Sequence, residues 1–103
     1  RKSLPLHGVY ACDVKVDNID MAERLLKGAA NIGYRPTVSE GSKAILEVHL
    51  LDFDSDIYGE RITVIFRHKI REERKFESLQ ALQTCIAIDV QTVREFFAKD
   101  MPL

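Results

Sequence analysis

Residues 9–16 alternate along the chain: Tyr10, Cys12, Val14 and Val16 fall on one side and Asp13 and Lys15 on the other. Period-two alternation predicts a strand, opening abruptly after Pro5 and Gly8. Residues 17–20 read as a turn, whereas 21–26 fit neither a helical nor an extended period. The small residues of 27–32 suit a strand passing close to a neighbour, and Arg35-Pro36 with Ser39-Glu40-Gly41 predicts a long loop before a strand starting near Ala44. From there Leu46, Val48 and Leu50 share a face expected to be core, while Ile45, Glu47, His49, Leu51 and Phe53 share the other. That second face is too apolar for open solvent and too polar for a dry interior, as expected of a strand whose back lines a cleft. A turn over 52–59, eased by Gly59, leads to Ile62, Val64 and Phe66 alternating against Arg61, Thr63, Ile65 and Arg67. These two strands are expected to pair antiparallel. Beyond Ile70 the period changes: Leu79, Leu82, Ile86, Val90, Val93 and Phe97 stand 3, 4, 4, 3 and 4 apart, one helical stripe with Ser78 as N-cap. The expected fold is mainly β, a small antiparallel, Greek-key-like β-barrel over about residues 8–76 with one C-terminal α-helix over 78–98.

Composition narrows the partners. A chain of 103 residues with 46% hydrophobic and 30% charged positions is an ordinary globular domain, and a formal charge of −1 argues against coating nucleic acid or a membrane surface. Cys12 and Cys85 match no metal spacing and read as reduced thiols of a cytoplasmic protein. No apolar run approaches the ~20 residues of a membrane span.

Several residues invite chemistry. Glu47 interrupts an apolar strand; partly screened by Ile45 and Leu51, it would have a raised pKa and serve as a general base, whereas exposed it would pair with Arg61 or Arg67 across the sheet. Tyr58-Gly59 offers an aromatic face at a turn, and Asp52 an acceptor for a sugar or base, unless both belong to a solvated acidic turn. Residues 67–75 hold five Lys or Arg, with His68, against Glu72 and Glu73. Such a segment is either a solvated connection or an anion-facing loop. Asp52, Asp54 and Asp56 lack the glycine and distal glutamate of a calcium loop, and His7, His49 and His68 have no ligand spacing, so no metal site is expected.

Three segments together, Asn31-Ile32-Gly33-Tyr34-Arg35-Pro36-Thr37, residues 46–59 and Arg71-Glu72-Glu73-Arg74-Lys75-Phe76, resemble the riboflavin kinase family, most closely the C-terminal kinase module of bacterial bifunctional FAD synthetases. The resemblance implies transfer of the ATP γ-phosphate to the 5′-hydroxyl of riboflavin to give FMN. It makes Glu47 the base, puts Leu50, Asp52 and Tyr58 on ATP, and puts Arg71, Arg74 and Phe76 on the flavin. Asn31, Gly33, Arg35, Pro36 and Thr37 are family hallmarks read mainly as structural: Gly33 permits a close turn, and Asn31 or Arg35 braces the cleft by hydrogen bonds. Glu72 stands where the family often has proline, which predicts a more mobile loop.

The family's ATP and magnesium motif, a Gly-rich turn followed by Gly-Phe-Pro-Thr-Ala-Asn, is absent before Gly8, so Mg2+ and ATP are implied without metal ligands in this chain. The expectation is a kinase domain incomplete at its N-terminus, with open sheet edges, from a parent chain carrying an N-terminal adenylyltransferase domain. Two other readings stand beside it: a non-catalytic flavin- or nucleotide-binding fragment, and a small β-barrel that binds nucleic acid through residues 67–75.

Overall fold

A computed structural model describes residues 6–17, 25–37 and 41–100, with the side chains of residues 35–37, 42 and 100 left out. Four strands, β1 (Gly8–Val16), β2 (Leu26–Thr37), β3 (Gly41–Leu50) and β4 (Ile62–Arg71), precede one helix, α1 (Leu79–Asp100). They form one antiparallel sheet in the order β3-β2-β1-β4. Three strands succeed one another as hairpins and the fourth returns beside the first, which is the Greek key. The mainly β fold with a C-terminal helix is therefore the expected one. The reading of residues 18–24 lies outside the described residues.

Three expectations need correction. First, β3 and β4 do not pair; β4 lies against β1 and β3 against β2, and residues 51–61 carry the chain from one sheet edge to the other. Among the described residues the sheet stays open at both of those edges. Second, no long loop follows Arg35. β2 runs to Thr37 and β3 starts at Gly41, with Pro36 opposite Ser42. The β1 ladder on β2 ends at Ile32, so Pro36 sits where β2 has a neighbour on one side only, and its missing N–H breaks no bond. Gly41 opens β3 at φ 85°, a backbone conformation that favours glycine. Third, Gly33 is not at a turn but inside β2, buried and opposite Ile45.

The central strand β1 is buried on both faces, which the alternation did not foretell. Val9 and Ala11 pack with Ala29, Leu51 and Val93 on the helix side. Cys12, Val14 and Ala30 pack on the other side with Leu26, Val48, Leu50, Ile62, Val64 and Phe66. Val48 and Leu50 are thus on the expected core face, whereas Leu46, near the edge, is exposed. Asp13, expected on the solvent side, is buried beneath α1, where Lys27 Nζ and Arg67 Nη1 each donate to it at 2.5 Å. Flanking strands on both sides leave an inward-facing carboxylate no water, and two cations replace it.

The helix starts as expected: the Ser78 hydroxyl accepts from Ala81 N–H at 3.0 Å. Its buried line is rotated from the expected stripe. Cys85, Asp89 and Val93 are the buried residues, whereas Leu79 and Ile86 are exposed. The polar Asp89 on that line hid the true centre of the face.

Candidate active site

A cavity of about 300 Å³ lies between the sheet and the N-terminal half of α1. The register explains who lines it. Arg71 on β4 is opposite Val9 on β1, Val9 is opposite Asn31 on β2, and Asn31 is opposite Glu47 on β3. One row across four strands therefore presents Arg71, Val9, Asn31 and Glu47 to the same cavity. With strands about 4.8 Å apart, three steps set the backbones of Glu47 and Arg71 roughly 14 Å apart. Arg74 and Phe76 from the segment after β4, and Leu82, Ile86 and Asp89 from α1, complete the wall.

At the β4 end the groups are tightly tied. Arg71 Nε and Nη2 donate to the two Asp89 oxygens at 2.8 and 2.7 Å, and Nη1 donates to the Glu72 carbonyl at 2.9 Å. The Asp89 carboxylate holds the Arg71 guanidinium above its usual range, chiefly through that hydrogen bonding. Phe76 is flanked by both arginines, with the guanidinium carbons 5.9 Å (Arg71) and 5.2 Å (Arg74) from its ring centre. Arg74 is held more loosely, by a contact of 3.8 Å to Cys85 Sγ. Glu72 pairs with Lys69 at 2.8 Å and lies 3.6 Å from His7 Nδ1, so the position that lacks proline makes its contacts through charge.

At the β3 end Glu47 is exposed. The screening expected from Ile45 and Leu51 is not there, because Ile45 is itself exposed and Leu51 is buried under Val93. Nor is Glu47 across from an arginine: Arg67 serves Asp13, and the cross-strand neighbour is Asn31. Asn31 Oδ1 is buried and accepts no hydrogen bond among the described residues, so the brace expected of it is not made through that atom. The side chains of Arg35, Pro36 and Thr37 lie outside the described set.

The other expected ligand residues stand apart from the cavity. Leu50 packs on the far face of the sheet. Asp52, at φ 57°, takes a bidentate ion pair from Arg94 at 2.9 and 3.0 Å, which lowers its carboxyl below the usual range. Tyr58 is 96% exposed on the loop, with its N–H donating to Asp56 Oδ1 at 2.9 Å. Among the described residues no group of three or more His, Cys, Asp or Glu is placed to hold a metal ion, so the residues present do not fit one. Reading the sequence missed Asp89 as a cavity-lining residue, whereas His49 lines the cavity from the β3 face expected to back a cleft. Asp89 stands four residues from both Cys85 and Val93, but alone it reads as a surface charge on the helix.

Among the described residues the fold and site define a small antiparallel β body whose one helix covers a ligand-sized cleft, with an exposed carboxylate at one end and a guanidinium-flanked aromatic at the other. The profile of the flavokinase family, riboflavin kinase, matches residues 1–97, and the chain belongs to that family. It is 49% identical over 98 residues to the bifunctional riboflavin kinase/FMN adenylyltransferase of Pseudomonas fluorescens, covering 95% of this chain and 30% of that protein. It is 48% identical over 102 residues to the protein so described from Escherichia coli K12, covering 99% and 31%. An RNA-binding riboflavin kinase, RibR, of Bacillus subtilis is 46% identical over 70 residues, covering 68% and 30%. The chain thus spans about 30% of the length of these relatives. A solved structure of a macrolide-efflux protein from Streptococcus pneumoniae superimposes with a TM-score of 0.74 at 30% identity, covering 89% of this chain and 28% of that one. Among the described residues no helix is long and apolar enough to cross a membrane.

Proposed function

We propose that this chain phosphorylates riboflavin at its 5′-hydroxyl with ATP, and that Glu47 is the general base. The observation that carries the reading is that Glu47 lines the same cavity as Arg71, Arg74 and Phe76, at opposite ends of one cross-strand row. A planar ring against Phe76 and the two arginines sends its ribityl chain along Val9 and Asn31 toward Glu47. Glu47 takes the hydroxyl proton as the oxygen attacks the γ-phosphorus. The new O–P bond forms as the bond to the departing ADP oxygen breaks, and phosphoryl transfer asks the protein chiefly for alignment and charge compensation.

ATP belongs to the Leu50, Asp52 and Tyr58 side, three to eleven residues beyond the base, and support for that rests on family membership. A divalent metal accompanies ATP in this family. Its identity as Mg2+ belongs to the same reading, and no step is assigned through it. The relatives are bifunctional by name, so an adenylyltransferase domain in the same polypeptide is part of the reading, as is a cytoplasmic setting.

The test is a kinase assay with riboflavin and Mg-ATP on full-length wild-type and Glu47→Gln protein. The variant keeps the shape and loses the base. A loss of about 10²-fold or more in turnover is expected. Turnover within a few-fold of wild type would remove Glu47 from the role.

A further inference from the structure

We infer that Asp89 is a positioning residue of this site: from the helix it fixes the Arg71 guanidinium at the ring end of the cleft and so sets how tightly the flavin is held. The inference deepens the riboflavin reading and rests on it.

Asp89 occupies a place where an apolar residue is the default. It lies on the buried line of α1 between Cys85 and Val93, with 7% of its side chain exposed against 21% for Arg71. A desolvated ion pair is poor value as a stabilising device, because hydrophobic residues of similar volume usually serve as well or better. The pair's geometry points instead to orientation. Two parallel N–H···O bonds fix the plane of the guanidinium, and the third, to the Glu72 carbonyl, fixes its rotation. Three of the five N–H donors of an arginine are thereby used, leaving two for a ligand in the cavity that both residues line.

The same fork cancels the charge of Arg71, so the Arg71–Asp89 pair is a polar but electrically balanced part of the wall. An uncharged ring with carbonyl acceptors fits it. Arg74 supplies the contrast: it lies nearer Phe76, is exposed, and among the described residues its hydrogen-bond partner is a thiol. One arginine is built in and the other is adaptable.

A double-mutant cycle tests this. Riboflavin is titrated into full-length wild type, Asp89→Asn, Arg71→Lys and the double variant by quenching of flavin fluorescence, with a thermal melt of each. Each single variant is expected to weaken binding about tenfold, the size of one charged hydrogen bond. The double variant is expected to be no weaker than the worse single one, since Asp89 acts through the Arg71 fork. A helix-packing role would lower stability and leave the cycle additive. Additive losses, or unchanged affinity in Asp89→Asn, overturn the inference. If Asp89→Asn fails to fold, Asp89→Glu keeps the charge and displaces it by one methylene. Weaker binding by a folded Asp89→Glu supports positioning, and unchanged binding overturns it. If wild type itself does not bind riboflavin, the reading of the cleft fails and takes the inference with it. If wild type binds and the Asp89 variants bind equally well, the inference alone fails.

Discussion

The two ends of the cleft are built on opposite plans. At the β4 end Arg71 is half-buried, forked onto Asp89 and tied to the Glu72 carbonyl, on one edge strand and next to the segment that carries Phe76. At the β3 end Glu47 is exposed on the other edge strand, facing an asparagine whose oxygen has no partner among the described residues. A group that holds a ligand gains from being fixed beforehand, since ordering it at the moment of binding would weaken the complex. A base must stay uncompensated until its proton arrives, and an arginine fork on Glu47 would disable it. The sheet register keeps these two demands about three strands apart.

The largest effect that separates the ends is on turnover. In Glu47→Gln the fall of about 10²-fold or more is expected with riboflavin affinity within about threefold of wild type, because the ring end is untouched. Equal losses in both would merge the two ends into one and break the comparison.

Next comes the backbone behind Arg71. Gly8, at φ 109°, crosses so close to β4 that a Cβ there would sit 2.5 Å from the Arg71 carbonyl oxygen and 2.9 Å from Lys69 Cε. The lysine carbon can move, but the carbonyl is backbone and cannot yield without shifting Arg71. Gly8→Ala is therefore expected to destabilise by about 2 kcal/mol and to weaken riboflavin binding as well. Chemical denaturation and the fluorescence titration read the two effects. A loss of stability with intact affinity would mean that the fork holds Arg71 regardless of its backbone.

A pH series sharpens the contrast by sparing the pinned end. Asp89 holds the Arg71 guanidinium above its ordinary, already strongly basic range, so it stays charged and its contribution is fully present throughout the series. Cys12, on the other face of the sheet, behaves differently: burial, then the neighbouring Asp13, pushes its thiol up to about 11 from 9.0. A raised folded value means that the native state binds the proton more tightly. Stability is then fully present below pH 9 and lost progressively as pH rises toward 11. Unfolding midpoints should fall over that window in wild type and less so in Cys12→Ala, while riboflavin affinity of the folded protein holds steady from pH 7 to 9. A loss of affinity in that range would mean that a group other than the fork holds the ring.

The same contrast explains what was legible in the sequence. Period two found β1, β3 and β4, and a 3-4 spacing with Ser78 found the helix and its cap, because these signals are local. Glu47 on a cleft-lining face followed from alternation alone, and His49 shares that face. Strand order did not follow: residues 51–61 look like a hairpin turn, and only the partners offered by β1 show that they cross the sheet. The pinned end was equally hidden, since Arg71 and Asp89 are 18 residues apart and each alone reads as a surface charge. Without β1's two neighbours in hand, nothing marked Asp13 as buried or assigned Arg67 to it.

The smallest test asks which part of the helix serves the cleft. Ser78→Ala removes the acceptor for Ala81 N–H and is expected to lower stability by about 1 kcal/mol, read as a shifted denaturation midpoint. The fraying is confined to the first turn, where Leu79 is already exposed, whereas Asp89 stands three turns into α1, a length over which cap effects fade. Riboflavin affinity should therefore stay within about twofold of wild type even as the protein becomes easier to unfold. Were affinity to fall as far as in Asp89→Asn, the ring end would be held by the start of the helix through Leu82 and Ile86, and the ion pair would be a passenger of that packing.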